Sequence, residues 1–260
     1  MWKSKPAEND DRPDLSALNK RVDALLDENR RLLQNFEAMQ AHFGGLARSV
    51  WRVQEDERRK LARELHDGVG QNLTALRHRL ESIAPGEARD AAIELAGQIL
   101  EDVRELSRLL RPPVLDDLGL AAALKWLCRR VRESAGLPLK VDVQALEELS
   151  LPDETETLVF RVVQESLHNC TRHADANRAS LTATRAGNRI EVTFSDDGRG
   201  FDPATLAERT EESGIGLAGM RDRVKLFGGD LTINSRPGHG TRIVVGIPLA
   251  ESSSPAGVPT

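Results

Sequence analysis

Apolar residues along the first part of the chain recur in alternating steps of three and four. They are Leu15, Leu18, Val22, Leu25, Asn29, Leu32, Phe36, Met39, Phe43, Leu46, Val50 and Val53, with one polar residue, Asn29, on the same seam. This is a heptad pattern, and it predicts a coiled-coil helix over residues 15–53 in a homodimer. A lone amphipathic helix packed on its own domain is the simpler alternative. Lys20, Arg21, Asp27, Glu28 and Arg30 fill the other faces. A single seam Asn costs stability but selects a two-stranded, in-register pairing. The pair Gly44-Gly45 weakens the helix there, by about 1 kcal/mol per Gly.

After Val53 the phase changes. The next apolar residues, Leu61, Leu65, Val69, Leu73, Leu76 and Leu80, are mostly four apart, which suggests that a two-stranded coil opens into a wider bundle. Pro85-Gly86 ends that helix, a second helical run covers 89–110, and Arg111-Pro112-Pro113 stops it. Two such hairpins, one from each copy, make a four-helix bundle. The texture then changes to mixed elements. Helices are expected over 120–131, 155–172 and 217–227, and strands over 139–143, 179–184, 190–195, 231–234 and 242–247. A turn at 186–188 joins two of the strands, and residues 197–213 form a loop. The fold class is therefore α plus α+β: an N-terminal coiled coil, a dimeric four-helix bundle, then an α/β sandwich. In residue ranges this gives a loose N-terminus (1–14), the coil (15–53), a helical hairpin (54–113), a globular domain (117–250) and a Ser/Pro/Gly-rich tail (251–260).

Composition narrows the function. The 260 residues suffice for about two modules. Only 3% are aromatic and Tyr is absent, which argues against base-stacking platforms. A net charge of −5 argues against general polyanion binding, so no direct nucleic-acid contact is expected. Cys128 and Cys170 are far apart and read as two reduced thiols. Without an apolar run near ~20 residues, or a signal peptide, no membrane span is expected and a cytoplasmic location follows.

Three segments of the last domain carry candidate chemistry. In the first, 165–174, Glu165 and Asn169 share a helix face. A carboxylate and an amide oxygen there suit Mg²⁺, and Arg172 and His173 lie one turn on, within reach of phosphates. Alone, this segment would read as an ordinary polar helix face. In the second, Asp196-Asp197-Gly198-Arg199-Gly200, a carboxylate at a strand end can accept a hydrogen bond from a purine amino group. The third, Gly214-Ile215-Gly216-Leu217-Ala218-Gly219-Met220, is a Gly-rich loop opening a helix, with free backbone N–H groups for a phosphate chain. Together and in this order, the segments resemble the ATP-binding domain shared by histidine kinases, gyrase B subunits, mismatch-repair ATPases and the large heat-shock chaperone ATPases. The resemblance covers residues 117–249. It implies ATP and Mg²⁺, with Asn169 as the Mg²⁺ ligand and Asp196 as the acid that reads adenine. It further implies Gly198 and Gly200 beside the base, Gly214, Gly216 and Leu217 at the lid over the phosphates, Thr241 supporting the pocket through water, and Glu165 beside the γ-phosphate. Arg172 stands where a Lys is usual and Cys170 where an Ala is usual.

Of six histidines, His42 and His78 have no acid of obvious use nearby. His168 and His173 belong to the first nucleotide segment, and His239 lies in a turn. His66 is followed directly by Asp67, which can hold or remove a ring proton and sharpen the other nitrogen as a nucleophile. The run 57–67 looks like the dimerisation and phosphotransfer segment of the histidine-kinase group that includes nitrate-responsive and membrane-fluidity sensors, and 110–120 is similar to that group's junction. In that group the pattern His-Asp-x-x-x-Gln, matched here by His66, Asp67 and Gln71, carries a second, phosphatase activity. Gly68 and Gly70 each cost about 1 kcal/mol in a helix; they serve bending or clearance, or are simply tolerated. Arg58, Arg59, Lys60 and Arg63 suit phosphates or an acidic partner domain, or form a solvated face.

The implied protein is an ATP-dependent histidine autokinase. It would phosphorylate His66, pass the group to an Asp of a separate response regulator with a receiver domain, and answer to an upstream sensor protein. The alternatives are an ATP-binding kinase or clamp that does not use His66, and a dimeric scaffold with a dead site.

Overall fold

The computed structural model describes residues 15–203 and 214–249. A continuous helix α1 (Leu15–Glu64) runs into a π-helical turn (Leu65–Gly70) and then α2 (Gln71–Glu81). Gly44-Gly45 does not interrupt it, because two glycines in a long helix cost less than breaking the hydrogen-bond ladder. The reversal around Pro85-Gly86 leads to α3 (Glu87–Leu110), which carries Glu87 and Asp90 in its first turn, where acids suit the helix dipole.

The expected helix over 120–131 is longer. Helix α4 (Pro113–Ala135) starts on Pro113, which needs no N–H donor at that position, and bends at Gly119, whose φ of 77° only glycine adopts cheaply. The chain continues through β1 (Leu139–Asp142), a 3₁₀ turn, α5 (Asp153–Asn169), a second π-helical turn (Cys170–Ala174), β2 (Ala179–Arg185), β3 (Arg189–Asp196), α6 (Gly214–Leu226), β4 (Asp230–Ser235) and β5 (Thr241–Pro248). Every strand falls where alternation placed it. The helix expected from 217 begins earlier, so that Gly214-Ile215-Gly216, expected as the loop opening it, is the first turn of α6. The expected tail 251–260, the N-terminus 1–14 and most of the loop 197–213 lie outside the described residues.

The sheet order is β1-β2-β3-β5-β4, with β1 and β2 parallel and all other pairs antiparallel. The parallel pair needs a crossover, and the segment containing α5 supplies it. One sheet face packs against α4, α5 and α6 through Leu181, Val192, Phe194, Ile243 and Val245, which meet Leu124, Leu158, Val159, Phe160 and Val163. Truncating one of these fully buried residues to Ala costs about 2–5 kcal/mol. The chain divides between Ala47 and Arg48 into two compact units. In the second unit, α2 and α3 form the expected hairpin, with Leu100 and Val103 inside. Leu61, Val69, Leu76, Leu95, Ile99 and Leu106 leave an apolar face uncovered on the single copy. In the first unit the seam residues Val22, Leu25, Leu32, Phe36, Met39 and Phe43 are likewise exposed.

Candidate functional site

Register across the sheet builds the nucleotide site. Leu139, Ala179, Asp196, Thr241 and Ser235 lie in one row over the strands. This places Asp196, at the end of β3, beside the start of β5. Asp196 Oδ1 accepts the backbone N–H of Gly198 (2.9 Å) and of Thr241 (3.2 Å). Both donors sit on one oxygen, which leaves Oδ2 to accept from a ligand. Burial raises the Asp196 pKa, and the two N–H groups offset part of the rise.

Three glycines make the pocket walls fit. A Cβ on Gly198 would stand 2.4 Å from Ala174 O, and one on Gly200 would stand 2.1 Å from Arg236 O. Gly240, which the sequence placed only in a turn, is as tight: its Cβ would stand 2.1 Å from Asp196 O, at a φ of 70°. The run Pro237-Gly238-His239-Gly240 read only as a turn, because crowding by another strand leaves no local signature. Ser235, also missed, ties this corner together. Its hydroxyl donates to Gly240 O (2.8 Å), accepts Phe201 N–H (3.0 Å) and lies 3.1 Å from Thr241 Oγ1.

A cavity of about 190 Å³ opens above this floor. Asn169, Cys170, His173, Asp196, Gly200, Leu217 and Thr241 line it, joined by Phe194, Arg199 and Phe201. Glu165 stands at its edge: it accepts from the Asn169 side-chain amide, and its Oε1 lies 2.6 Å from where a Cβ on Gly216 would be. Gly214 is the first residue of α6, so its N–H is among the four at a helix start without an intrahelical partner. Arg172 is exposed on the π-helical turn and is not among the lining residues. Asn169 and Thr241 thus come together with Asp196, while Arg172 stands apart. The donor set suits Mg²⁺: one amide oxygen from Asn169, with phosphates to supply the rest. Among the described residues no cluster of three or more His, Cys, Asp or Glu side chains offers a self-sufficient metal cage.

His66 lies on the first π-helical turn, exposed, with Asp67 and Gln71 also exposed. Such turns widen a helix locally and are frequent at functional sites. Gly70 is buried in the turn, and a Cβ there would stand 3.6 Å from Leu65 O and 3.9 Å from Leu100 Cδ1, whereas Gly68 faces open space. A methyl would make only ordinary contacts at Gly70 and none at Gly68, so neither glycine is needed for clearance within the chain. Two grooves flank His66. One includes Asp67, Arg63, Arg111 and Asp117; the other includes Gln71, Thr74, His78 and Arg104. Neither shares a lining residue with the nucleotide cavity. Among the described residues no hydrogen bond joins His66 to Asp67.

His78 does have an acid partner: its Nδ1 lies 3.2 Å from Glu81 Oε2, on an exposed face. The cationic run is partly committed inside the chain. Arg59 bonds Asp116 at 2.5 Å and Arg58 bonds Glu55 at 3.0 Å. Asp116 also receives Arg111, which is buried and donates to Thr157 as well.

Comparison with known proteins adds independent findings. A family model described as "Histidine kinase-, DNA gyrase B-, and HSP90-like ATPase" matches residues 154–251, and one described as "Histidine kinase" matches 57–115. The sensor histidine kinase MctS of Rhizobium johnstonii is 38% identical over 200 residues, 73% of this chain and 43% of its own. The signal transduction histidine-protein kinase/phosphatase UhpB of Salmonella typhimurium is 36% identical over 228 residues, 84% of this chain and 44% of its own. The chain thus spans less than half the length of these two relatives. The histidine kinase domain of the Erythrobacter litoralis EL346 blue-light activated kinase superposes with a TM-score of 0.47 at 20% identity, over 75% of this chain and 94% of that one.

Proposed function

The chain belongs to the histidine kinases, and on that premise we propose that it transfers the γ-phosphoryl group of ATP to His66 and then to an Asp of a separate response regulator. The observation that carries this reading is His66 itself, exposed on a π-helical turn between a groove with Asp67 and a groove with Gln71. The same chain holds the ATP-binding domain. ATP lies with its adenine amino group on Asp196 Oδ2 and its phosphates toward Asn169 and the start of α6. Mg²⁺, held by Asn169 Oδ1 and phosphate oxygens, would supply charge neutralisation there.

Because the cavity and the His66 grooves share no residue, transfer requires the nucleotide to be brought to His66. A ring nitrogen then attacks the γ-phosphorus as the bond to the β-phosphate oxygen breaks, and ADP leaves. Asp67, not bonded to His66 at rest, takes up the proton of the other ring nitrogen once the nucleotide is engaged. Positioning and charge supply most of the rate in such transfers. The uncovered apolar faces of α1, α2 and α3 support a homodimer. No helix among the described residues is long and apolar enough to cross a membrane, and dependence on ATP puts these domains in the cytoplasm.

A second activity follows from Gln71. One relative's name includes a phosphatase, and Gln71 lies one turn beyond Asp67, placed to hold a water for attack on the phospho-aspartate of the regulator.

Incubating the purified chain with γ-labelled ATP tests the first reading. Label that is acid-labile and alkali-stable is expected, and His66→Gln removes it. Label of that kind persisting in His66→Gln rejects the site. For the second reading, Gln71→Ala keeps autophosphorylation and loses dephosphorylation of the regulator.

A further inference from the structure

Residues 48–62 of α1 carry a strip that faces away from the seam. Arg48, Trp51, Glu55 and Arg59 recur at helical spacing, on the side opposite Leu46, Val50 and Val53. All four meet the ATP-binding half. Trp51, 5% exposed, packs edge-on against Phe227 with ring centroids 5.0 Å apart. Arg48 lies over the same ring and donates to Leu226 O at the end of α6.

The centre of the strip is a buried ion pair. Glu55 is 7% exposed and Arg161, on α5, is 9%. Arg161 Nε lies 3.1 Å from each Glu55 oxygen, and Nη2 donates to Oε2 at 2.7 Å. The same guanidinium donates to Leu110 O at 2.6 Å, while Gln164 Nε2 donates to Leu109 O at 3.2 Å. Helix α5 thereby caps the open carbonyl end of α3. Three elements, α1, α3 and α5, meet on one side chain.

This junction adjoins the nucleotide site. Arg161 stands one turn before Glu165 on α5. Arg223 of α6 is half-buried nearby: burial holds its pKa below the ordinary value, Glu165 raises it, Arg58 lowers it and Glu55 raises it.

We infer that the Glu55–Arg161 pair is a catch that holds the ATP domain against α1, away from His66, until a shift of the coil releases it; this rests on His66 being the phosphoacceptor. A buried ion pair contributes little net stability when both partners leave together into water, but leaving one behind is strongly unfavourable. Such a pair specifies one docked position without making it permanent. Val50 and Val53 of the seam lie on the same helical turns as the strip and on the opposite side, so a change in packing at those two residues displaces the strip directly.

The test uses the full chain with Trp2→Phe and Trp126→Phe, which leaves Trp51 as the only one of the three tryptophans. Glu55→Gln in this background strands Arg161. The expected result is a red shift of Trp51 emission as it meets water, together with a rise in His66 labelling rate of about threefold or more as the docked population gives way. Glu55→Asp, which keeps a carboxylate for Arg161, moves both readouts less than Glu55→Gln. Phe227→Leu, which loosens the strip without touching the pair, moves both readouts in the same direction and serves if Glu55→Gln fails to fold. Unchanged emission in a folded variant overturns the catch. So does a red shift with a fall in rate, which would make the docked position the productive one. If the parent chain takes no label at all, the kinase reading fails, and the emission of the variants still decides whether the pair holds the docked state.

Discussion

Asn169 donates its side-chain amide to Glu165 Oε1 across 3.2 Å, one turn along α5. The bond commits the amide nitrogen and leaves Oδ1 as the free end, facing the cavity that Asn169 lines. It also holds the Glu165 carboxylate against the first turn of α6, where only a glycine at 216 leaves room.

Gly216→Ala places a methyl 2.6 Å from Glu165 Oε1. A carboxylate tip can move, so the fold survives, but the Asn169–Glu165 arrangement does not. Affinity for a non-hydrolysable ATP analogue falls about tenfold, roughly 1.4 kcal/mol, with little change in melting temperature. Titration calorimetry checks it; unchanged affinity removes this contact from the site.

Gly238 and Gly240 both adopt positive φ, 79° and 70°, yet only Gly240 is crowded by backbone, 2.1 Å from Asp196 O. Gly238→Ala costs about 1 kcal/mol from conformation alone. Gly240→Ala adds a clash with a strand that cannot yield, costing about 1–3 kcal/mol more, and loses nucleotide binding. Thermal melts of the two variants side by side separate these contributions. Equal melting temperatures would show that the crowding is relieved.

Burial pushes the Asp116 carboxyl up, but the Arg111 and Arg59 guanidinium groups outweigh it and hold the pKa below the ordinary value. The stability this provides is complete above the unfolded carboxylate pKa of about 3.9 and is lost as pH falls through the lowered native value. Asp116→Asn is therefore less stable than the parent at neutral pH, and the gap narrows below about pH 4. Melting curves from pH 3 to 7 check this; a gap constant across that range contradicts it.

Burial pushes the Cys128 and Cys170 thiols up to about 12. At pH 8 only about one thiol in ten thousand is ionised at such a pKa. Although Cys170 lines the nucleotide cavity, neither cysteine reacts with a thiol reagent at pH 8 in the folded protein, and both react after unfolding in denaturant. Rapid labelling of Cys170 in the native chain would show that the cavity floor is wetter than its packing indicates.

The sequence by itself determined the element order. Period-2 alternation located all five strands and steps of three and four located the long helices, because burial of one face writes itself into local spacing. It also marked the glycines at 198 and 200, since close backbone approach demands a residue type that few other positions need, while Asn169 and Asp196 stood out only through the order of the three segments and the family they resemble. Only the tertiary structure decided what depends on pairing. Strand register set Thr241 against Asp196 and crowded Gly240, and neither effect has a local period. Packing turned residues 214–216 from a loop into the start of α6 and drew Leu65–Gly70 into a π-helical turn. Above all, Trp51 and Glu55 sit on the non-seam face of a helix whose heptads look self-sufficient. Their partners, Phe227 and Arg161, lie more than a hundred residues away, so pairing them requires a fold that no one-dimensional pattern encodes.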